Sequence, residues 1–227
     1  MIAENLKRVE EKIEQICLKI GRNRSEIKLI AVSKTQSKEV IEEVLSAGIK
    51  DLGENKAQEL RDKAELISGD FNWHYIGHLQ SNKIKYVIKS AEFIHSVDSI
   101  KLADEINKKA ESINKVQKVL LEINTSKEAS KFGLSGEKEI FDTAAFCNLA
   151  KNLDIVGLMT MAPYTNDMEI IRKCFVTLRS VKEKLNSSGF RVKELSMGMT
   201  NDYEIAIEEG ATMLRIGTAI FGERNLN

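Results

Sequence analysis

The chain has 227 residues, with Lys plus Arg equal to Asp plus Glu at 34 each and a formal net charge of zero. Balanced charge gives no long-range field toward nucleic acid or anionic lipid, so neither is expected as a partner. No stretch approaches the roughly 18 consecutive apolar residues of a membrane span, and the opening MIAENLKRVEEKIEQICLKI is too charged for a signal peptide, which points to a cytoplasmic protein.

The chain begins with an amphipathic helix. Ile2, Leu6, Val9, Ile13, Ile16 and Ile20 recur at threes and fours, and Gly21 closes the pattern. Short apolar runs then alternate with longer amphipathic ones. The strand-like runs are IKLIAV, IKDLG, WHYIG, FIHSV, KVLLEIN, IVGLMTM, VKELSMG and MLRIG. Helical patterns lie between them, over Lys38–Ala47, Lys56–Ile67, Ser81–Ile88, Ile100–Ser112, Glu137–Asn152, Asp167–Asn186 and Asp202–Glu209. In the basic run KIKYVIK, Ile84, Val87 and Ile88 face inward and the lysines form a solvated helix face.

Strands alternating with helices imply parallel βα units, and eight of them suggest a closed (β/α)8 barrel of the TIM type. The last strand ends near Gly217, ten residues before the end of the sequence, so the N-terminal helix is expected to complete the outer ring. An open doubly wound sheet is the rival; it expects a Gly-rich turn after the first strand, where VSKTQS has no glycine. With Pro163 alone among prolines and no Gly/Ser-rich linker, residues 1–227 read as one domain. Cys17, Cys147 and Cys174 form no C-x-x-C pair and read as reduced core residues. The three histidines lack metal-ligand spacing, so no metal is expected.

In such a barrel the chemistry lies at the C-terminal strand ends. Those positions carry Lys34, Glu54 and Asn55, His78, Asp98, Asn124 and Thr125, Met161, Ser196 to Thr200, and Arg215 to Thr218. Singly, each has a structural explanation: Asp98, Ser99 and Asn55 can cap helices, and His78 can be a satisfied core imidazole. Their convergence on one rim favours a site. The seventh loop, SMGMTNDYE, combines Gly198 with the cap-type residues Thr200, Asn201 and Asp202, and Asn201 with Glu204 resembles a capping box. The eighth, RIGTAIFG, adds Gly217 and Thr218. Together these loops are expected to bind phosphate. A strand-end lysine facing a phosphate cradle suggests an amine that condenses with an aldehyde, its pKa lowered if it is partly desolvated near Arg215. Pyridoxal 5′-phosphate and a phosphorylated sugar of an aldolase both satisfy that description.

The motifs IAVSKTQ, GENKAQEL, WHYIGHLQSNK, INTSKEASKFGL, GLMTMAP and LSMGMTNDYEIAIEEGATMLRIGTAIFG narrow the choice. From about Ile30 to Gly222 the sequence resembles the pyridoxal phosphate homeostasis proteins, small single-barrel relatives of the alanine racemase N-terminal domain. The resemblance implies pyridoxal phosphate as cofactor, Lys34 as its Schiff-base residue, and a phosphate site of Ser196, Gly198, Met199, Thr200, Gly217 and Thr218. It also implies that Asn55 and His78 line the cofactor and that Arg215 faces the pyridine nitrogen. An arginine there stays charged and only donates, so it disfavours a protonated ring and weakens carbanion stabilisation.

Racemases of this architecture carry a second, β-rich domain that lends a catalytic tyrosine, whereas this sequence ends at Asn227. Proton transfer on both faces of a substrate carbon needs two placed groups, and only Lys34 is evident; Tyr164 and His78 lack support. The expected role is therefore a monomeric carrier and buffer of the cofactor, with pyridoxal phosphate-dependent apo-enzymes as recipients. A low-activity amino-acid racemase is the alternative.

Overall fold

The computed structural model describes residues 1–126 and 132–223. Helix α1 (Ile2–Ile20) precedes strand β1 (Lys28–Val32), and βα units follow. They are α2 (Lys38–Ser46), β2 (Asp51–Glu54), α3 (Ala57–Leu66), β3 (Asn72–Tyr75), α4 (Ile84–Val87), β4 (Ala91–Val97) and α5 (Ile100–Glu111). The second half runs β5 (Gln117–Glu122), α6 (Glu137–Leu149), β6 (Leu153–Met159), α7 (Met168–Ser187), β7 (Glu194–Ser196), α8 (Tyr203–Glu208), β8 (Met213–Ile216) and α9 (Thr218–Phe221).

All eight strands are parallel and close into a barrel in sequence order. Closure rests on β1 against β8, with Lys28 opposite Met213 and Ala31 opposite Ile216. An open sheet would leave those edges unpaired, so the doubly wound alternative fails. Alternating residues divide the core into two layers. Ile30, Phe93, Leu120, Met159 and Met213 fill the lumen, while the other strand faces pack against the helices.

The helix ring closes through α1, which packs on α8, α9 and α2. Asn5 Nδ2 donates to the Ile220 carbonyl at 3.0 Å, and the Arg22 guanidinium donates to the Ile207 and Ala211 carbonyls at 2.9 and 3.0 Å. Gly21 takes the left-handed conformation (φ 70°) that ends α1, since it has no Cβ to clash there. The eighth unit has only the single turn of α9, and α1 supplies the missing helical cover. In the fourth unit the expected Ser81–Ile88 helix begins as a 3-10 turn over Ser81–Lys83 and continues as α4. Ile84, Val87 and Ile88 are buried, and Lys83 and Lys85 sit over the Tyr86 ring. All three cysteines are buried and unpaired. No helix of the described residues is long and apolar enough to cross a membrane.

Candidate functional site

The strand ends open into a cavity of about 630 Å³, within the range of small-molecule sites. Lys34, Asn55, His78, Met199, Thr200, Arg215, Gly217 and Thr218 all line it. Ser196 and Gly198 do not; they lie beneath, where they shape the residues that do.

Lys34 sits in the turn that leaves β1, between two anchored neighbours. Buried Lys63, on the inner face of α3, donates to the Ser33 carbonyl at 2.7 Å, to Glu54 Oε1 at 2.7 Å and to Glu59 Oε1 at 2.8 Å. The Ser33 hydroxyl donates to the same Glu54 oxygen at 2.7 Å. On the other side, the Thr35 N–H donates to Glu59 Oε1 at 2.5 Å. Thr35 has φ 66°, a left-handed conformation that costs a β-branched residue of order 1–3 kcal/mol. The ion cluster holds this strained turn and so fixes where the lysine leaves the barrel wall. Burial raises the Glu54 carboxyl despite Lys63. Burial also pushes Glu59 up, but Lys63 and the Thr35 N–H outweigh it and the net shift is downward.

Arg215, on β8, forms the floor and is 4% exposed. Its Nη1 donates to Ser196 Oγ at 2.6 Å, its Nη2 to the Thr160 carbonyl at 2.8 Å, and its backbone N–H to the Gly198 carbonyl at 2.9 Å. Burial pulls the guanidinium down to about 10, against the pull of Asp202 and Glu122, and it stays protonated at neutral pH. Glu122, at the end of β5, is pushed up to about 7 by burial and by Asp98, with Arg215 opposing.

A carboxyl raised in the folded state costs nothing below its unfolded pKa, and the cost grows as pH rises to the folded value. Glu122→Gln should therefore stabilise the fold by up to about 3 kcal/mol near pH 8 and by little near pH 5. Urea denaturation at the two pH values measures it, and an equal gain at both would refute the assignment.

The seventh and eighth loops are coupled. Gly198 has φ 93°, and a Cβ there would lie 2.6 Å from the Ala206 Cβ, so only glycine admits this approach of the loop to α8. The Asn201–Glu204 capping box does not form. Asp202 is the N-cap residue of α8, and its Oδ1 turns back to accept the Met199 N–H at 2.6 Å. The Thr200 hydroxyl accepts the Ala219 N–H at 3.3 Å, joining the two loops. The backbone N–H groups of Thr200, Asn201, Gly217 and Thr218 donate to no acceptor among the described residues. They supply donors for an anion at the cavity wall; Ser196 and the Met199 N–H are already engaged.

Asn55 does not cap α3, whose N-cap is Lys56; instead its Oδ1 is buried at the cavity with no hydrogen-bond partner among the described residues. His78 is no core imidazole. It stacks on Phe132 at 3.7 Å and faces Asp98 at 3.5 Å. Ser99 does cap α5, accepting the Leu102 N–H at 3.2 Å. Thr125 pairs with Thr160 at 2.9 Å. Residues 127–131 of the INTSKEASKFGL motif lie outside the described residues. Among the described residues, no group of three or more His, Cys, Asp or Glu is placed to hold a metal.

Sequence reasoning missed the inward-facing His74, His95 and Asp51 and the clamp residue Lys63. A histidine between apolar strand residues, in WHY and FIHSV, was the available signal.

Residues 4–225 match the family described as alanine racemase, N-terminal domain. The pyridoxal phosphate homeostasis protein of Aquifex aeolicus is 44% identical over 225 residues, covering 97% of each chain. PipY of Synechococcus elongatus, solved with pyridoxal phosphate bound, is 31% identical with a TM-score of 0.85, covering 98% of this chain and 100% of that one. An unknown protein from Bifidobacterium adolescentis is 36% identical with a TM-score of 0.91, over 97% and 94% of the two chains. A closed eight-stranded barrel, matched over almost its whole length by such relatives, makes this chain a member of the pyridoxal phosphate homeostasis protein family.

Proposed function

We propose that this chain binds pyridoxal 5′-phosphate reversibly, buffers it and releases it to apo-enzymes that need it. The observation that carries the reading is the convergence, on one cavity, of a clamped lysine, a buried arginine and a row of unused backbone N–H donors. The related PipY, solved with the cofactor, supports it. When bound, the cofactor supplies an aldehyde that a lysine amine captures with loss of water and that water or another amine releases. Lys34 is the attachment residue. The N–H groups of Thr200, Asn201, Gly217 and Thr218 receive the phosphate, and the Thr200 and Thr218 hydroxyls stand beside them. Asn55 and His78 border the ring, with the Asn55 carbonyl oxygen open to a donor. Arg215 meets the pyridine nitrogen from the floor.

A carrier fits this geometry better than a racemase. Arg215 presents a cation to the ring, which opposes ring protonation and the electron withdrawal that stabilises a carbanion. A second proton-transfer group is not held in place among the described residues: Tyr164 borders the cavity but is fully exposed, and His78 stacks on Phe132. Borohydride treatment of the cofactor-loaded chain, followed by peptide mass mapping, is expected to place a single reduced adduct on Lys34, and Lys34→Ala to lose both adduct and visible absorption. An adduct elsewhere, or none, refutes the reading. Exchange of an amino-acid α-proton into deuterated solvent at turnover rates would establish the enzyme instead.

A further inference from the structure

The barrel lumen contains a polar chain that the cavity does not explain. Asp51 lies at the start of β2, at the end of the barrel opposite the site. Its Oδ1 is 2.9 Å from His74 Nε2, and His74 Nδ1 is 2.9 Å from His95 Nε2. His95 Nδ1 is 2.9 Å from Ser196 Oγ, which accepts from Arg215 Nη1 at 2.6 Å. His74, His95 and Ser196 are fully buried, and His74 is stacked on Phe93 with ring centroids 4.5 Å apart.

The two ends fix the direction of every proton between them. A guanidinium can only donate, so Ser196 Oγ accepts from Arg215 and keeps its own hydrogen for His95 Nδ1, which the carboxylate end leaves bare. A neutral His95 then carries its proton on Nε2 and donates to His74 Nδ1. His74 in turn carries its proton on Nε2 and donates to Asp51. Reversing His74 would set a bare imidazole nitrogen against the carboxylate, and reversing His95 alone would set two bare imidazole nitrogens against each other, two acceptors at 2.9 Å in either case.

Both imidazoles are held neutral. Burial lowers them, with Asp51 partly opposing at His74, and with His74 and Arg215 adding to the effect at His95. Lys28 also faces both rings, and Glu92 faces His74. Asp51 is raised by burial, but the hydrogen bonds from His74 and from Asn72 Nδ2 at 3.0 Å outweigh it, and its carboxyl ends below the ordinary range.

We infer that Asp51, His74, His95 and Ser196 form a one-directional hydrogen-bond relay that spans the barrel, polarises Arg215 and fixes the orientation of its guanidinium at the floor of the site. These are positioning residues, acting through Arg215. The relay itself depends only on the chain. Its effect on a ligand rests on the pyridoxal phosphate reading, and the two are tested separately.

Long-range proton–nitrogen NMR of the cofactor-free wild-type chain is expected to show both buried histidines as neutral Nε2–H tautomers between about pH 6 and pH 8. A charged ring, or an Nδ1–H tautomer at either histidine, overturns the relay whether or not the cofactor binds. Its reach is tested with cofactor-loaded protein. Asp51→Asn and Ser196→Ala are each expected to shift the absorption maximum and weaken pyridoxal phosphate binding about three- to tenfold. Asp51 and Ser196 are linked only through the two imidazoles, so the double variant should be no worse than the weaker single one. Ser196→Thr, which keeps the hydroxyl, should restore the wild-type spectrum. Additive losses in the double variant, or an Asp51→Asn spectrum identical to wild type, would show that Arg215 is insulated from the far end and refute the transmission.

Discussion

Lys63→Met is expected to lower the unfolding free energy by about 3–5 kcal/mol, because it strands a buried charge. Glu54 is fully buried and takes Lys63 as its ionic partner at 2.7 Å. Methionine fills the space but leaves that carboxylate without a countercharge, and the Ser33 carbonyl without the ammonium. It also frees Glu59, which holds the N–H of the strained residue Thr35. The turn carrying Lys34 then loses its support on both sides, so borohydride trapping at Lys34 should slow as well. Adding Glu54→Gln removes the stranded charge and should recover much of the stability. The trapping rate should stay low, because the clamp on the Ser33 carbonyl is still missing. Urea denaturation and trapping kinetics of the single and double variants measure both effects. A double variant less stable than Lys63→Met would show that the cost lies elsewhere.

Arg215→Met should cost a similar amount, about 3–5 kcal/mol, with a pH dependence that identifies its origin. The guanidinium lowers the carboxyls of Glu122 and Asp202, both already raised by burial. Without it, their folded-state pKa values rise further above the unfolded ones. Stability is then lost as pH climbs through that window and is partly kept in acid, where both are protonated in either state. The deficit against wild type should therefore be largest near pH 8 and smaller near pH 5. Arg215→Lys restores the charge and should narrow the pH dependence. It cannot restore the two-armed contact with Ser196 Oγ and the Thr160 carbonyl, since a single ammonium lacks the planar fork. A deficit that does not change with pH would mean that lost packing, and not exposed carboxylates, dominates.

The strands and helices were legible because each follows a local rule. Buried parallel strands read as short apolar runs, helices as 3.6-residue stripes, and the count of units pointed to closure. Lys34 and the two last loops could be placed on one rim for the same reason, since strand ends are set by where those runs stop. The capping box at Asn201 does not form because Asp202 takes the N-cap position and bonds a backbone donor three residues upstream, a choice made by the loop's path and not by residue type. Residue type alone leaves Asn55 open to capping α3 or to lining the cavity, and the fold decides for the cavity, with its carbonyl oxygen buried there.

By itself, then, the amino-acid sequence determined the order of elements, the barrel class, the family, and the placement of Lys34 and the last two loops at the C-terminal strand ends. Only the tertiary structure decided which of them meet. Lys63 and Ser33 are 30 positions apart, and His95 and Ser196 are 101 apart. Such pairs are created by barrel closure, which sets the stagger of one strand against another across the lumen. Hydrogen-bond partners, countercharges and tautomers depend on that stagger to within about an ångström, and no local periodicity encodes it.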